Sequence, residues 1–122
     1  MEMNFLIKKQ LLILCLSVFY FSGFSQDFIT TWKTNPVGIY PDNEITIPTT
    51  GYGYYFTIDW GDGISEFYDG NPGNINHVYS SPGTYSVNIS GIFPRIYFNN
   101  NGDKDKILSI DAWGSIVWSS MQ

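Results

Sequence analysis

Cysteine and histidine each occur once in the 122 residues. Cys15 sits inside an apolar run near the N-terminus, LLILCLSVFYF at 11–21, directly after Leu14. A lipid-modified cysteine would follow a small residue, so lipidation at Cys15 is not expected. If this segment is removed, the mature chain has no thiol. That excludes disulfides, thiolate metal sites and cysteine nucleophiles, and leaves stability to an apolar core. Basic residues are also scarce. Beyond residue 25, Lys33, Arg95, Lys104 and Lys106 face ten acids, a charge of 4 − 10 = −6. No basic patch is available for nucleic acid or for anionic lipid. The apolar run of eleven residues is well short of the about 20 that a membrane helix needs. No stretch shows helical periodicity.

The N-terminus has the layout of a secretory signal. Lys8 and Lys9 precede the apolar run, and the small residues Gly23 and Ser25 follow it. Cleavage after Ser25 is expected, making 1–25 a signal peptide and leaving no membrane span in the mature chain.

The remaining 97 residues (122 − 25) suffice for one domain. Short β-rich runs alternate with turn clusters such as PVGIYPDN, TTGYG, DGNPGN and SSPG. This predicts an all-β sandwich or barrel. Strands are expected at 29–34, 44–48, 54–60, 64–68, 76–79, 84–90, 95–98 and 106–110. Two show a clear period of two: Tyr54, Phe56, Ile58 and Trp60 share one face, and Tyr85, Val87 and Ile89 share another. Such alternation fits antiparallel sheets covered on one side.

Between the first of these and ISEFY lies DWGDG, Asp59 to Gly63. Asp-Gly between two alternating runs is a hairpin signal, since glycine takes positive φ without steric cost. Asp59 and Asp62 are therefore expected to serve the turn rather than to form a paired-carboxylate active site, which needs a cleft and a raised pKa. IDWGDG, then HVY at 77–79, then SPGTYSVNISG at 81–91 resemble the PKD domain family. The motif residues are Asp59, Trp60, Gly61, Asp62, Gly63, His77, Tyr79, Pro82, Gly83 and Tyr85. The resemblance implies a seven-stranded, Ig-like antiparallel β-sandwich over 26–92 of the kind found in bacterial extracellular proteins. It departs from the family pattern at Ile58, where a tryptophan is common. His77 is expected to be a structural strand-end residue, and Tyr79 or Tyr85 to tie a corner of the sandwich by its hydroxyl.

After Gly91 the chain continues through IFPRIYFNNNGDKDKILSI to WGSIVWSSMQ. RIYF and KILSI suggest a closing hairpin over 93–122, with NNNGDKD as its loop. Trp113, Ile116, Val117 and Trp118 near the end suggest an apolar surface that awaits a partner. This stretch, with FITTWKT at 28–34 and ITIPTTG at 45–51, resembles the N-terminal module of BspA-like leucine-rich repeat surface proteins. That resemblance implies a cap on a repeat array whose repeats are missing from this chain, on the outer face of a Gram-negative bacterium or released from it.

Within NNNGDKD, Asn99, Asn101, Asp103 and Asp105 are weak calcium candidates; the EF-hand pattern needs a glutamate at its twelfth position, where Ile110 stands. No other cofactor is expected. Two non-catalytic functions are expected to compete. One is a surface or adhesion module that binds protein. The other is an accessory carbohydrate-binding or spacer domain of a secreted polysaccharide-degrading enzyme. For either, Tyr52, Tyr54, Tyr55, Trp113 and Trp118 are candidate surface residues, with Tyr40 and Tyr68 as further sugar-stacking tyrosines. A standalone enzyme is disfavoured, because no nucleophile–base constellation is present.

Overall fold

The computed structural model describes residues 26–36, 38–39, 41–99 and 102–121. The expected signal peptide, Cys15, Tyr40 and Asn101 lie outside them. Among the described residues there are nine strands: β1 (Phe28–Lys33), β2 (Glu44–Pro48), β3 (Tyr54–Asp59), β4 (Ser65–Gly70), β5 (Asn74–Val78), β6 (Thr84–Ile92), β7 (Arg95–Ile96), β8 (Ile107–Ala112) and β9 (Ser120–Met121). A single 3-10 turn, Gly102–Lys106, precedes β8. The class is all-β, as the turn-rich sequence predicts, and each of the eight expected strands is found within two residues of its expected bounds.

Five strands form one antiparallel sheet in the order β4-β3-β6-β1-β8, and β2 pairs antiparallel with β5 in a second. A short parallel pair, β7 with β9, forms a third. Period-two alternation explains why the first two sheets share one core. On β3, Tyr54, Phe56 and Ile58 are buried and the residues between them exposed. On β2 and β5, Ile45, Ile47 and Ile75 are buried, and they join Phe28, Trp32, Val87, Ile89 and Phe93 in a single cluster. Trp32 is buried with its indole N–H donated to Thr30 Oγ1 at 2.7 Å, so its one polar atom is satisfied.

The closing hairpin is not formed. β7 pairs with β9, while β8 pairs with β1. The segment that leaves β7 therefore leads to a different sheet instead of turning back. Two groups hold it to β2: Tyr97 N–H donates to Pro48 O at 3.1 Å, and Asp103 Oδ2 accepts Thr46 N–H at 2.7 Å. Outward-pointing backbone groups of a strand left at a sheet edge need partners, and here they recruit the crossover. Short runs such as RIYF say where a strand is and leave its neighbour undetermined.

The β3–β4 connection runs so close to β6 that a side chain is excluded at one position. A Cβ on Gly61, at φ +83°, would lie 2.3 Å from Ser86 O, whereas one on Gly63, at φ +89°, would meet nothing within 4 Å. Gly63→Ala should thus cost only the left-handed backbone term, about 1–2 kcal/mol. Gly61→Ala should cost clearly more, because it must also displace β6. Urea unfolding of the two variants measures the difference, and equal losses would contradict the close approach.

Candidate functional site

Both aspartates of DWGDG bond to backbone. Asp59 Oδ1 accepts Gly61 N–H at 2.9 Å, and Asp62 Oδ1 accepts Ile64 N–H at 3.1 Å. Trp60 N–H closes the turn on Ile64 O at 3.0 Å. Short acceptors that bond two residues onward are the reason aspartate suits such turns.

The second oxygen of Asp62 leaves the turn and crosses to the other sheet, where it meets His77 Nε2 at 2.7 Å. His77 is 6 % exposed on β5. Its ring stacks on Trp60 at 4.7 Å and 7°, and Tyr79 meets it edge-on at 4.7 Å. Tyr79 donates its hydroxyl to Trp60 O at 2.8 Å, and the Trp60 indole N–H goes to Glu66 Oε2 at 2.9 Å. Tyr68 donates to the same oxygen at 2.8 Å. Burial, with Glu66 beside it, pushes the Tyr68 hydroxyl up to about 12. Burial, chiefly, also raises Tyr79, with the Asp62 charge adding to it. At Asp62 burial pushes the other way from its partners. The His77 hydrogen bond, the Ile64 N–H and the imidazole charge outweigh it and hold the carboxyl below its ordinary value.

The Asp62–His77 pair has the composition of a general-base dyad but not the access. Nε2 is engaged by Asp62, and the ring lies against Trp60 and Tyr79. A base must reach the proton it removes, whereas this imidazole joins the two sheets. The SPGTY corner is equally structural in its contacts. Gly83 N–H donates to Thr34 Oγ1 at 2.9 Å, next to the exposed Pro82. Tyr85 stacks on Tyr79 at 3.7 Å and returns its hydroxyl to Ser81 O at 2.7 Å.

The candidate surface residues divide. Tyr52 and Tyr55 are well exposed and Trp113 is half exposed. Tyr54 is not a surface residue: it is 2 % exposed and donates its hydroxyl to Arg95 O at 2.8 Å. Its place in the inward phase of β3 decides this, since neighbours on a strand face opposite ways. Tyr68, considered for sugar stacking, is partly buried against the core and stacks on Phe56 at 5.7 Å. Trp118 is likewise turned inward, edge-on to Phe28 at 4.8 Å and to Phe93 at 5.9 Å. The segment around it folds back, with Ser115 N–H on Gln26 O at 3.1 Å and Ser119 N–H on Pro94 O at 2.6 Å. The expectation that these tryptophans need a missing surface therefore fails for Trp118, which the chain covers itself.

What does stand open is the outer face of the large sheet. Tyr55 is 60 %, Phe67 53 % and Ile92 59 % exposed. Tyr55 lies directly across from Ile92 on β6 and from Asp69 on β4, and Thr57 from Phe67 and Ser90. Residues paired in this way share one face, and the Tyr55 and Phe67 rings touch at 4.9 Å and 78°. Phe67 and Ile92 had no distinguishing signal in the sequence. Adjacent aromatics Phe67-Tyr68 leave the phase of β4 ambiguous, and the expected end of β6 at residue 90 excluded Ile92.

Two cations also became structural. Lys106 is 0 % exposed and donates to Pro41 O at 2.7 Å and Glu44 O at 2.8 Å. Arg95 Nε donates to Thr50 O at 2.7 Å, a second guanidinium nitrogen donates to Tyr52 O, and the group lies 5.2 Å over the Tyr54 ring. The calcium candidates gain nothing. Asp103 is held by Thr46 N–H, with Lys106 Nζ 3.5 Å away, and a cation beside a ligand opposes calcium. Asn101 is not described, and Asn99, with the acids Asp103 and Asp105, remains in the crossover. Among the described residues no three acidic, imidazole or thiol side chains form a metal group, and no helix is long and apolar enough to cross a membrane.

No protein-family model, curated protein or solved structure matches the chain.

The sheet-joining role of Asp62 predicts a pH signature. A carboxyl whose folded value is depressed stabilises fully above its unfolded value, and that contribution is lost as pH falls through the folded one. Asp62→Asn retains an oxygen for Ile64 N–H but loses the charge. The wild-type advantage in melting temperature should be full above pH 3.8, the ordinary value of Asp62, and shrink below it. A difference unchanged into strong acid would contradict the ion pair.

Proposed function

We propose that this protein is a non-catalytic, secreted or surface-held recognition module with a PKD-like, Ig-like sandwich, and that it binds a protein through the outer face of its five-stranded sheet. The observation that carries this reading is the contiguous Tyr55–Phe67–Ile92 patch. Aromatic anchors framed by small polar residues and acids match the composition of an interface core and rim. Thr57, Ser90 and Asp69 supply that rim by register, and the net charge of −6 (4 − 10 beyond residue 25) favours a partner with basic residues around an apolar centre. Sugar stacking fits this face less well. Rings inclined at 78° cannot both lie flat along one sugar chain.

The Ig-like reading draws support from the pairing of β2 with β5 in one sheet and β3 with β6 in the other. This is the B–E and C–F arrangement of such sandwiches. It departs from that pattern beside β6, where β1 stands in place of a later strand. The BspA-like reading rests on the residue pattern alone. It makes the module the cap of a repeat-bearing protein whose repeats lie outside this chain.

The test is saturable binding to purified extracellular matrix proteins of net positive charge, measured by surface plasmon resonance. At least one should bind, more weakly at high salt. Phe67→Ser should weaken it about tenfold or more, the scale of a lost aromatic anchor, with the melting temperature near wild type. Binding that ignores both Tyr55→Ser and Phe67→Ser would refute the face as the site.

A further inference from the structure

The crossover after β7 leaves a concavity on the opposite layer, against the outer edge of β2. Its volume is about 400 Å³, within the range of small-molecule sites, about 300–1,000 Å³. Thr46, Asn74, Asn99 and Asp103 line it with hydroxyl, amide and carboxylate groups, and Tyr97 and Phe98 add rings. We propose that this cleft binds a neutral saccharide, one or two sugar residues long.

The argument is the match of donor set to ligand. Amides and carboxylates accept from, and amides donate to, the paired hydroxyls of a sugar ring, while an aromatic ring covers its apolar face. No lysine or arginine is among the described lining residues. Lys106 Nζ is sealed behind Asp103 at 3.5 Å and donates to Pro41 O and Glu44 O. A phosphate, sulfate or uronate would thus meet the Asp103 carboxylate and no cation among the described lining residues, which opposes anionic ligands. Apolar ligands fit less well, since they would offer the Asn74 and Asn99 amides and the spare acceptors of Thr46 and Asp103 no partner.

The site is also held in shape before any ligand arrives. Asp103 Oδ2 is fixed by Thr46 N–H at 2.7 Å, yet each carboxylate oxygen has a second lone pair for a hydroxyl. Thr46 Oγ1 is fixed by Asn76 Nδ2 at 2.9 Å. Tyr97 is fixed through its backbone to Pro48 O at 3.1 Å, and Phe98 is wedged against Trp32 with ring centres 6.1 Å apart. Asn99, which lines the cleft, stands at φ +50°, the one described non-glycine residue in the left-handed region. Pre-fixed polar groups spare a weak ligand part of the entropy of ordering its site. This inference is independent of the sheet-face proposal, since the cleft shares no residue with the Tyr55 patch.

The experiment is a nuclear magnetic resonance titration of the ¹⁵N-labelled full protein with cellobiose, maltose, xylobiose and chitobiose at millimolar concentration, and a sulfated disaccharide as control. At least one neutral disaccharide should shift the Asn74, Tyr97 and Asn99 resonances saturably, and the sulfated one should not. Asn74→Ala should weaken that binding about tenfold, the effect of one lost hydrogen bond, and Tyr97→Ala serves if that variant does not fold. Tyr55→Ser should leave it unchanged, which separates this site from the protein-binding face. The proposal falls if no neutral disaccharide gives saturable shifts, if the sulfated sugar binds as well, or if the shifts map to the Tyr55 face.

Discussion

The Asp62–His77 contact is the constraint on which the rest of the architecture depends. By period-two alternation β5 must turn His77 inward with Ile75, and a buried imidazole without a partner is costly. The partner comes from the other sheet, from a turn whose aspartate is placed by its own hydrogen bond to Ile64 N–H. Trp60 stacks on the same ring and is in turn held by Tyr79 and Glu66. The hairpin geometry of one sheet and the side-chain phase of the other are therefore satisfied together or not at all. Gly61, pressed against Ser86 O, sets the distance at which this happens.

A second group of polar contacts makes an irregular C-terminal third into part of the domain. Lys106, Asp103 and Arg95 all reach backbone groups of β2 or its flanking loops. Each supplies an atom that an adjoining strand would otherwise supply. Pro48 fits this edge because it has no N–H to leave unpaired. The crossover can then run beside β2 without joining its ladder, and the gap it leaves is the cleft. A continued ladder would have closed that gap.

Much of this was legible in the residues. The strand positions and the inward faces of β3 and β6 follow from alternation, and DWGDG announces its turn through glycine and aspartate chemistry that acts over two or three residues. Beyond the β3–β4 hairpin, pairing was not legible. β7, β8 and β9 are short, and their partners are chosen by contacts far along the chain, such as Thr46 with Asp103. Burial of Lys106 was hidden for the same reason, since a lysine reads as solvated until two distant carbonyls converge on it. At Tyr54 two readings conflicted, a ring for binding against an inward strand position, and the periodicity decided. At Trp118 the apolar tail misled, because composition cannot show that Phe28, from the other end of the domain, lies against it, whereas Trp113 and Val117 do stay exposed.

The open sheet face also bears on association between copies. β4 is an edge strand beside an exposed aromatic patch, an arrangement that invites pairing between copies. Its sequence, SEFYDG, places an acid on each face: Glu66 turns toward Trp60 and Tyr68, while Asp69 lies across from Tyr55. Two copies meeting edge to edge would bring these acids together in a chain that is already strongly negative, and like charges brought into register repel. The acids thus oppose self-association without covering the patch. Rings flanked by acids of one sign are the arrangement that the proposed binding of a basic partner calls for.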